Sequence, residues 1–325
     1  MQIRSLSTIA LTAAALAATA ASPPAAATSA DSRSFTFQYS AEIGPLPDGA
    51  GPVDIYVPIA RDTALQRVER LATTTSIPGE EAEDPVYGNR FWHGHLDAGH
   101  GETVSLTFTY RVTRHAFPPP DTASRSADPP RPVDLAPNAR VPISGEPVDG
   151  IVAEIAPGQD DPLAVSRAIY DYVIDHMEYK KVGTGWGNGD TFWACSAGYG
   201  NCTDFHSLYL SLARARGIPA RFVMGFPIPD ADHEVEVQGY HCWVEFYVDG
   251  RGWLPLDASE ADKHPDRRDA LFGAQPPDRV EFTVGRDLVL DAHQQGPPLN
   301  YFIYPYVEVG GEPDDQVRTR FLVQP

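Results

Sequence analysis

Three residues of reactive type occur in an order that favours cysteine catalysis. Cys202 stands near the start of GNCTDFHSLYLSLARARGIPARFVMG, His241 opens HCWVEFYV, and Asp257 closes WLPLD. A cysteine nucleophile needs a base beside it and a third group that holds the base in its working tautomer. The sulfur would attack an acyl carbon, His241 would take and return the proton, and Asp257 would orient the imidazole. The three residues therefore predict acyl transfer at a peptide or carboxamide bond, through a thioester on Cys202.

The segment around Cys202 predicts a helix that begins at this cysteine. Asn201 is a good N-cap, and Asp204 can complete a capping box. Apolar residues then recur at helical spacing until Gly217 and Pro219, which end the helix. The N–H groups and the macrodipole at a helix start favour an anion, so we expect the thiol of Cys202 to ionise readily. The backbone N–H of Cys202 is also a candidate donor to the oxyanion.

Two strands are expected to bring the base and its orienting carboxylate together. Residues 241–248 alternate, with His241 on one face and Cys242 on the other, apolar face. A turn then returns the chain along residues 253–257, which brings Asp257 close to His241. Strict opposition of the two residues requires a loop of odd length or a bulge.

A loop rich in glycine and aromatic residues, 179–199, leads up to Cys202. Loops of this kind often line a functional site. Trp193 and Tyr199 in this loop are candidates for contacts with the substrate or with the oxyanion.

The runs GNCTDFHSL…LARARGIPAR, GYHCWVEFY and GRGWLPLDASEA resemble the transglutaminase-like superfamily of papain-like folds. By match of motif, Cys202, His241 and Asp257 take the triad positions. The resemblance covers about 160–260 and continues into LNYFIYPYVEV. It implies a papain-like core in a family that contains cross-linking enzymes, peptide and amide hydrolases, and members without catalysis. Nothing resembles the calcium sites of the animal cross-linking enzymes, so we expect neither a cofactor nor a metal.

The same region contains an alternative set of zinc ligands. These residues are Cys195, Cys202, His206, His241 and Cys242. The tight cysteine pair of most zinc sites is missing, so we expect His206 to be a local structural residue. Three cysteines in an exported protein leave at least one thiol free, and a bridge between Cys195 and Cys242 stays open.

The N-terminal residues and the net charge of the chain predict its cellular location and its partners. Arg4, an apolar run over residues 6–16 and the small residues Ala18-Thr19-Ala20 are typical of a secretory signal. No later apolar run could span a bilayer, so we expect an exported protein, periplasmic or extracellular, without stable membrane insertion. The net charge of −19 provides no basic patch for nucleic acid. The expected partner is a protein or peptide substrate, and the oligomeric state is left open.

The pattern of strands, prolines and helices predicts the α+β class with an all-β sandwich first, and the resemblance implies that a papain-like, transglutaminase-like core follows it. Strands are expected near 34–43, 53–59, 68–74, 91–95 and 103–113. The predicted parts are a signal peptide (1–30), a β-sandwich domain (31–115), a stiff Pro-rich linker (116–150) and a catalytic domain with a C-terminal β extension (151–325). His93 and His95 share a strand face, where we expect solvated polar residues rather than a metal site.

The motif of Cys202, His241 and Asp257 does not distinguish hydrolysis from cross-linking. Water and an amine both attack the acyl carbon of the same thioester. We favour hydrolysis by a peptidase or amidase over cross-linking of protein glutamine. The alternative from another class is a module that binds peptide or cell-wall polymer without turnover.

Overall fold

The computed structural model describes residues 32–117 and 128–325 of the chain. The predicted signal peptide lies outside the described residues, as do residues 118–127 of the predicted linker. In the two described ranges, no helix combines the length and the apolar character needed to cross a membrane.

The described residues form strands and helices in the following order along the chain. The strands are β1 (Ser32–Ile43), β2 (Val53–Pro58), β3 (Gln66–Thr75), β4 (Gly79–Glu83), β5 (Arg90–Leu96), β6 (Val104–His115), β7 (Glu178–Tyr179), β8 (Tyr199–Gly200), β9 (Ala220–Pro227), β10 (Val235–Val237), β11 (His241–Val248), β12 (Gly252–Leu256), β13 (Arg279–Val284), β14 (Tyr306–Val309), β15 (Glu312–Asp314) and β16 (Val317–Gln324). The helices are α1 (Val148–Glu154), α2 (Pro162–His176), α3 (Thr191–Ala197), α4 (Cys202–Ala215) and α5 (Ala258–Lys263).

Three sheets organise these strands, and a β-rich N-terminal region precedes the mixed core. Sheet 1 has the order β10-β16-β1-β6-β3, sheet 2 the order β15-β14-β2-β5-β4, and sheet 3 the order β12-β11-β9-β13. Strands β7 and β8 form a small parallel pair. Helix α4 packs against β9 and β11 of sheet 3. The α+β class and the papain-like core that the sequence predicts are confirmed.

The C-terminal strands pair with the N-terminal half of the chain, which the sequence pattern does not predict. We expected residues 301–309 to extend or cover the catalytic domain, yet β14 pairs with β2. Strand β16 pairs with β1 on one side and with β10 on the other. Sheet edges carry unpaired N–H and C=O groups, and the late strands satisfy these groups on β1 and β2.

The described part of the predicted linker is packed, rather than extended as a spacer. The side chains of Val141 and Val148 are fully buried. Ser211 of α4 donates a hydrogen bond to the carbonyl of Pro142. Apolar residues between the prolines therefore hold this segment against the core.

Aromatic side chains join sheet 1 to sheet 3 in one continuous core. The ring of Phe226 in β9 lies 5.1 Å from that of Phe37 in β1 and 4.3 Å from that of Phe321 in β16. Phe282 in β13 packs edge-on at 5.3 Å from Phe226. Aromatic pairs in this range contribute stabilisation beyond the apolar area that they bury.

The histidine pair of β5 is held by a carboxylate, and the expected solvation is wrong for His93, which is buried, but right for His95, which is exposed. His93 is buried, and its Nε2 lies 2.8 Å from Asp54 Oδ1. His95 Nδ1 lies 2.9 Å from the same oxygen. The ring of Tyr56 stacks on that of His93 at 4.5 Å. Among the described residues, no group of three His, Cys, Asp or Glu is arranged to hold a metal ion.

Candidate active site

Cys202 is the first residue of α4, as the capping pattern predicts. The side chain of Asn201 accepts a hydrogen bond from the N–H of Thr203 at 2.9 Å, and Asp204 Oδ2 accepts one from the N–H of Asn201 at 2.9 Å. In the part of the chain that the structure describes, no hydrogen bond engages the N–H of Cys202. This N–H is therefore available at the helix terminus, where an oxyanion is stabilised.

Asp204 also holds the loop that runs along the start of the helix. Its carboxylate accepts hydrogen bonds from the N–H groups of Gly187 at 2.6 Å and Gly189 at 2.9 Å. Gly189 has φ +58°, and a Cβ there would lie 2.3 Å from Ser207 Oγ, so only glycine fits. Arg286 donates to the carbonyl of Gly189 at 3.0 Å. The loop beside Cys202 is thus fixed by buried charges on both sides.

The turn between β11 and β12 brings His241 and Asp257 together. Val248 pairs with Gly252 across a three-residue turn, and this odd length puts His241 and Asp257 on the same face of the hairpin, offset by two residues rather than strictly opposite. His241 Nε2 lies 2.6 Å from Asp257 Oδ2. The charge of His241 also acts on the thiol of Cys202, and Nδ1 is the ring nitrogen that is not bonded to Asp257. The structure therefore brings Cys202, His241 and Asp257 together, with His241 hydrogen-bonded to Asp257 and electrostatically coupled to Cys202.

Asp257 is held from several directions, and helix α5 begins beside it. Oδ1 accepts hydrogen bonds from the N–H of Glu260 at 3.0 Å and the hydroxyl of Ser259 at 3.1 Å, which makes Asp257 the N-cap of α5. Oδ2 accepts a hydrogen bond from Arg279 at 3.0 Å. Burial would raise the pKa of Asp257, but the charge of His241, hydrogen bonds and Arg279 hold it well below its usual range.

Arg279 was not predicted as part of the site, although the sequence contains a signal for it. It stands in β13, which is buried along its whole length, and Glu281 follows it on the same face. Its guanidinium lies over the ring of Trp243 at 5.2 Å and also pairs with Asp278 at 3.2 Å. Charged residues at a spacing of two in a buried strand require partners, and one partner here is the orienting carboxylate.

The protonation of Cys202 and His241 follows from their contacts. The neighbouring Cys242 thiol makes the largest contribution that lowers the pKa of Cys202. Burial opposes this effect, but His241 adds to it, so the pKa of Cys202 falls well below that of a free thiol. Burial opposes protonation of His241, but the charge and hydrogen bond of Asp257, with the thiolate of Cys202, raise its pKa to about 10. At neutral pH the pair is a thiolate and an imidazolium.

A second histidine and a second cysteine support this thiolate from behind. The N–H of Ala258 donates to His206 Nε2 at 3.2 Å, so Nδ1 carries the ring proton. Nδ1 lies 3.4 Å from Cys242 Sγ, and both side chains are fully buried. Burial and the Cys202 thiolate raise the pKa of Cys242, which keeps its thiol protonated, and its S–H donates to Thr203 Oγ1 at 3.9 Å. His206 is thus structural, as expected, and Cys242 has a role that its predicted apolar face did not indicate.

Substitution of Cys242 by alanine is expected to raise the pKa of Cys202 because the neighbouring Cys242 thiol makes the largest contribution that lowers this pKa. Iodoacetamide labelling of Cys202, followed by mass spectrometry over a pH series, would then show its midpoint at higher pH. Cys195→Ala is the matched control, since Cys195 carries a protonated thiol whose pKa is raised to about 11 by burial. An unchanged midpoint in Cys242→Ala would contradict the role of Cys242.

The three cysteines all lie in the described part of the chain, and each is a free thiol. The bridge between Cys195 and Cys242 that the sequence leaves open is not formed. Cys195 belongs to helix α3 and is partly exposed, whereas Cys242 is buried beside Cys202.

The cavity at Cys202 has aromatic walls that differ from the predicted ones. It has a volume of about 360 Å³ and opens to solvent. The aromatic lining residues are Tyr179, Trp186, Tyr240, Tyr301 and Tyr304. Trp193 and Tyr199 are not among the lining residues. Their rings pack edge-on at 5.3 Å, and the hydroxyl of Tyr199 donates to the carbonyl of Val182, so they support the loop before Cys202. The predicted loop also contains α3, which we did not expect.

Tyr240 brings a hydroxyl to the start of helix α4. This oxygen accepts a hydrogen bond from Asn201 Nδ2 at 3.1 Å and lies 2.7 Å from Thr203 Oγ1. Burial, and then the nearby Cys202 thiolate, raise the pKa of Tyr240, which keeps its phenol protonated. A second neutral donor therefore stands beside the N–H of Cys202.

The fold and the site together have the arrangement of a papain-like core, with a cysteine at a helix start, a histidine on an adjoining strand and an aspartate directly after the next strand. Residues 149–258 match the model of the Transglutaminase-like superfamily. The match covers helix α4, which begins at Cys202. It also covers β11, which begins at His241, and β12, which ends next to Asp257.

Known proteins that are similar to the chain include one curated relative and two solved structures. An uncharacterized protein of Haemophilus influenzae is 32% identical over 201 residues, which are 51% of this chain and 54% of that protein, so the chain spans about half of its length. The crystal structure of a candidate cysteine protease from Cytophaga hutchinsonii has a TM-score of 0.55 and 19% identity, covering 89% of this chain and 90% of that one. This likeness shows the fold alone. The periplasmic domain of TgpA from Pseudomonas aeruginosa is a more distant match, with a TM-score of 0.40 and 19% identity. The match covers 72% of this chain and 92% of that one.

Proposed function

We propose that the protein is an exported cysteine hydrolase that cleaves a peptide or carboxamide bond through a thioester on Cys202. The observation that carries the proposal is the buried 2.6 Å hydrogen bond between His241 and Asp257, next to a buried cysteine, Cys202, at the start of a helix. The signal-like first thirty residues support export, and the absence of a basic patch supports a peptide rather than a nucleic acid as the substrate.

In the proposed mechanism the enzyme begins as an ion pair. The thiolate of Cys202 attacks the acyl carbon, and the N–H of Cys202 with the hydroxyl of Tyr240 donates to the oxyanion. The imidazolium of His241 protonates the leaving amine, which leaves a thioester and a neutral base. His241 then takes a proton from water, the hydroxide attacks the thioester, and the acid product departs as the thiolate and imidazolium are restored. Asp257 keeps the ring in place throughout.

Hydrolysis is favoured over cross-linking because the cavity at Cys202 opens to solvent, so that water reaches the thioester. A glutamine peptide incubated with the protein and a primary amine tests this preference by mass spectrometry. Conversion to the glutamate peptide, with no amine adduct, supports hydrolysis. Covalent incorporation of the amine contradicts a purely hydrolytic enzyme and supports transglutaminase activity.

The rate of turnover should follow a bell-shaped dependence on pH. It rises as the thiol of Cys202 deprotonates, below the usual range of a free thiol, and falls as His241 loses its proton at about pH 10. The midpoints of the acidic and alkaline limbs belong to the coupled Cys202–His241 pair rather than to either residue alone. A pH series of kcat/KM checks this, and an acidic limb at the free-thiol pKa of about 8.5 contradicts the ion pair.

A non-catalytic binding module is the alternative from a different class. The aromatic walls of the cavity would suit a peptide or cell-wall polymer held without turnover. This alternative predicts no turnover by the unmodified protein and undiminished binding by Cys202→Ala.

A further inference from the structure

The lysines of this chain are few and are gathered at one place. The sequence contains three lysines, whereas all its other basic side chains, histidines aside, are arginines. Lys180 and Lys181 follow Tyr179 directly, and Lys263 Nζ lies 4.0 Å from the centre of the Tyr179 ring. Tyr179 is part of the cavity wall at Cys202. The ammonium groups of a strongly acidic protein are therefore concentrated at the mouth of its candidate active site.

Two of these three lysines have carboxylate partners, and one does not. Lys180 pairs with Glu178 at 3.5 Å, and Lys263 pairs with Glu260. Lys181 has no ion-pair partner in the two described ranges. Its Nζ instead lies 5.8 Å from the ring centres of both Tyr179 and Trp186, which hold the ammonium group against the aromatic wall.

Lys181 is also the lysine that lines the cavity. Apart from Cys202 itself, the other described lining residues are five aromatic residues, three amides and two glycines. No carboxylate is among these residues, although acidic residues exceed basic ones by 19 in the whole chain. The cavity wall therefore presents a single ammonium group in surroundings that otherwise repel anions.

We propose that Lys181 is a specificity residue that binds a carboxylate of the substrate, so that the enzyme selects acidic peptides. This inference rests on the proposed function, because it concerns the substrate that Cys202 attacks. An ammonium group with no protein carboxylate can pair with a carboxylate of the peptide, while the aromatic wall contacts the adjoining apolar part. The net negative charge of the protein repels anions elsewhere on its surface. An anionic group is therefore attracted mainly beside Lys181, which makes this lysine selective for acidic substrates.

A pair of alkylating reagents tests the inference without a known substrate. Iodoacetate and iodoacetamide form the same bond to sulfur and differ in one negative charge. The measurement is the ratio of their second-order rate constants at Cys202, read by mass spectrometry at neutral pH and low salt. We expect Lys181→Gln to lower the iodoacetate-to-iodoacetamide ratio on the order of threefold, and Lys181→Glu to lower it further. Lys181→Arg should keep the ratio of the unmodified protein.

The neighbouring Lys180→Gln is the matched control, since it removes the same charge from a lysine that does not line the cavity. Its ratio should stay unchanged, and added salt should reduce the difference between the unmodified protein and Lys181→Gln. Equal ratios in the unmodified protein, Lys181→Gln and Lys181→Glu would overturn the inference. Slow alkylation by both reagents would instead contradict the activated thiolate of the proposed function, so the two failures are distinct.

Discussion

Replacement of Cys202 by alanine is expected to reduce turnover to the uncatalysed background while the fold is retained. The substitution removes the only group that the mechanism allows to form the thioester, and the remaining donors at the helix start cannot replace a covalent step. Cys202→Ser keeps the shape, but a hydroxyl stays protonated beside His241 and should be nearly as inactive. Turnover of the amide substrate and the melting temperature are measured together for each variant.

Cys195→Ala is the matched control for the loss of Cys202. This cysteine lies on α3 with a raised pKa and does not line the cavity, so turnover should be unaffected. Substantial turnover by Cys202→Ala would remove Cys202 as the nucleophile. An inactive unmodified protein whose peptide binding survives in Cys202→Ala would favour the binding module.

Substitution of Asp257 by asparagine should lower kcat on the order of 10³- to 10⁴-fold. Asparagine keeps the shape but loses the carboxylate that fixes the tautomer of His241. Because the charge of Asp257 is the largest contribution that raises the pKa of His241, that pKa should fall from about 10. The alkaline limb of the pH profile then moves to lower pH, which a purely structural role would not cause.

Asp257→Ala should in addition destabilise the protein by about 3–5 kcal/mol, because the buried Arg279 loses its buried carboxylate partner. The lowered pKa of Asp257 means that its stabilising contribution is present above the unfolded pKa of about 4 and is lost as pH falls below it. Asp278→Asn is the control, since it removes the more exposed carboxylate of the same arginine. If Asp278→Asn shifts the alkaline limb as strongly as Asp257→Asn does, the assignment of Asp257 is wrong.

Local signals made the centre of the site predictable from the sequence. The capping residues Asn201 and Asp204 define where the helix begins, and this places Cys202 in the first turn. Alternation along 241–248 gives the face of His241, and the turn length brings Asp257 alongside. Each of these features depends on residues within a few positions of one another.

The supporting contacts could not be predicted in the same way because they join distant segments. Arg279 is 22 residues from Asp257, and His206 is 36 residues from Cys242. No periodicity relates such pairs. The pairing of β16 with β1 is of the same kind, since either strand pattern would fit several sheet edges. Trp193 and Tyr199 were selected for their residue type, which does not define the cavity wall.

The pairing of the last described strand with the first has a consequence for how the chain folds. Sheet 1 cannot be completed until β16 is available, because β16 lies between β1 and β10. Closing so long a loop carries a large entropic cost, and folds rich in such contacts form slowly. Until β16 pairs with it, β1 therefore keeps an unpaired edge, and the aromatic core that it shares with Phe321 forms late.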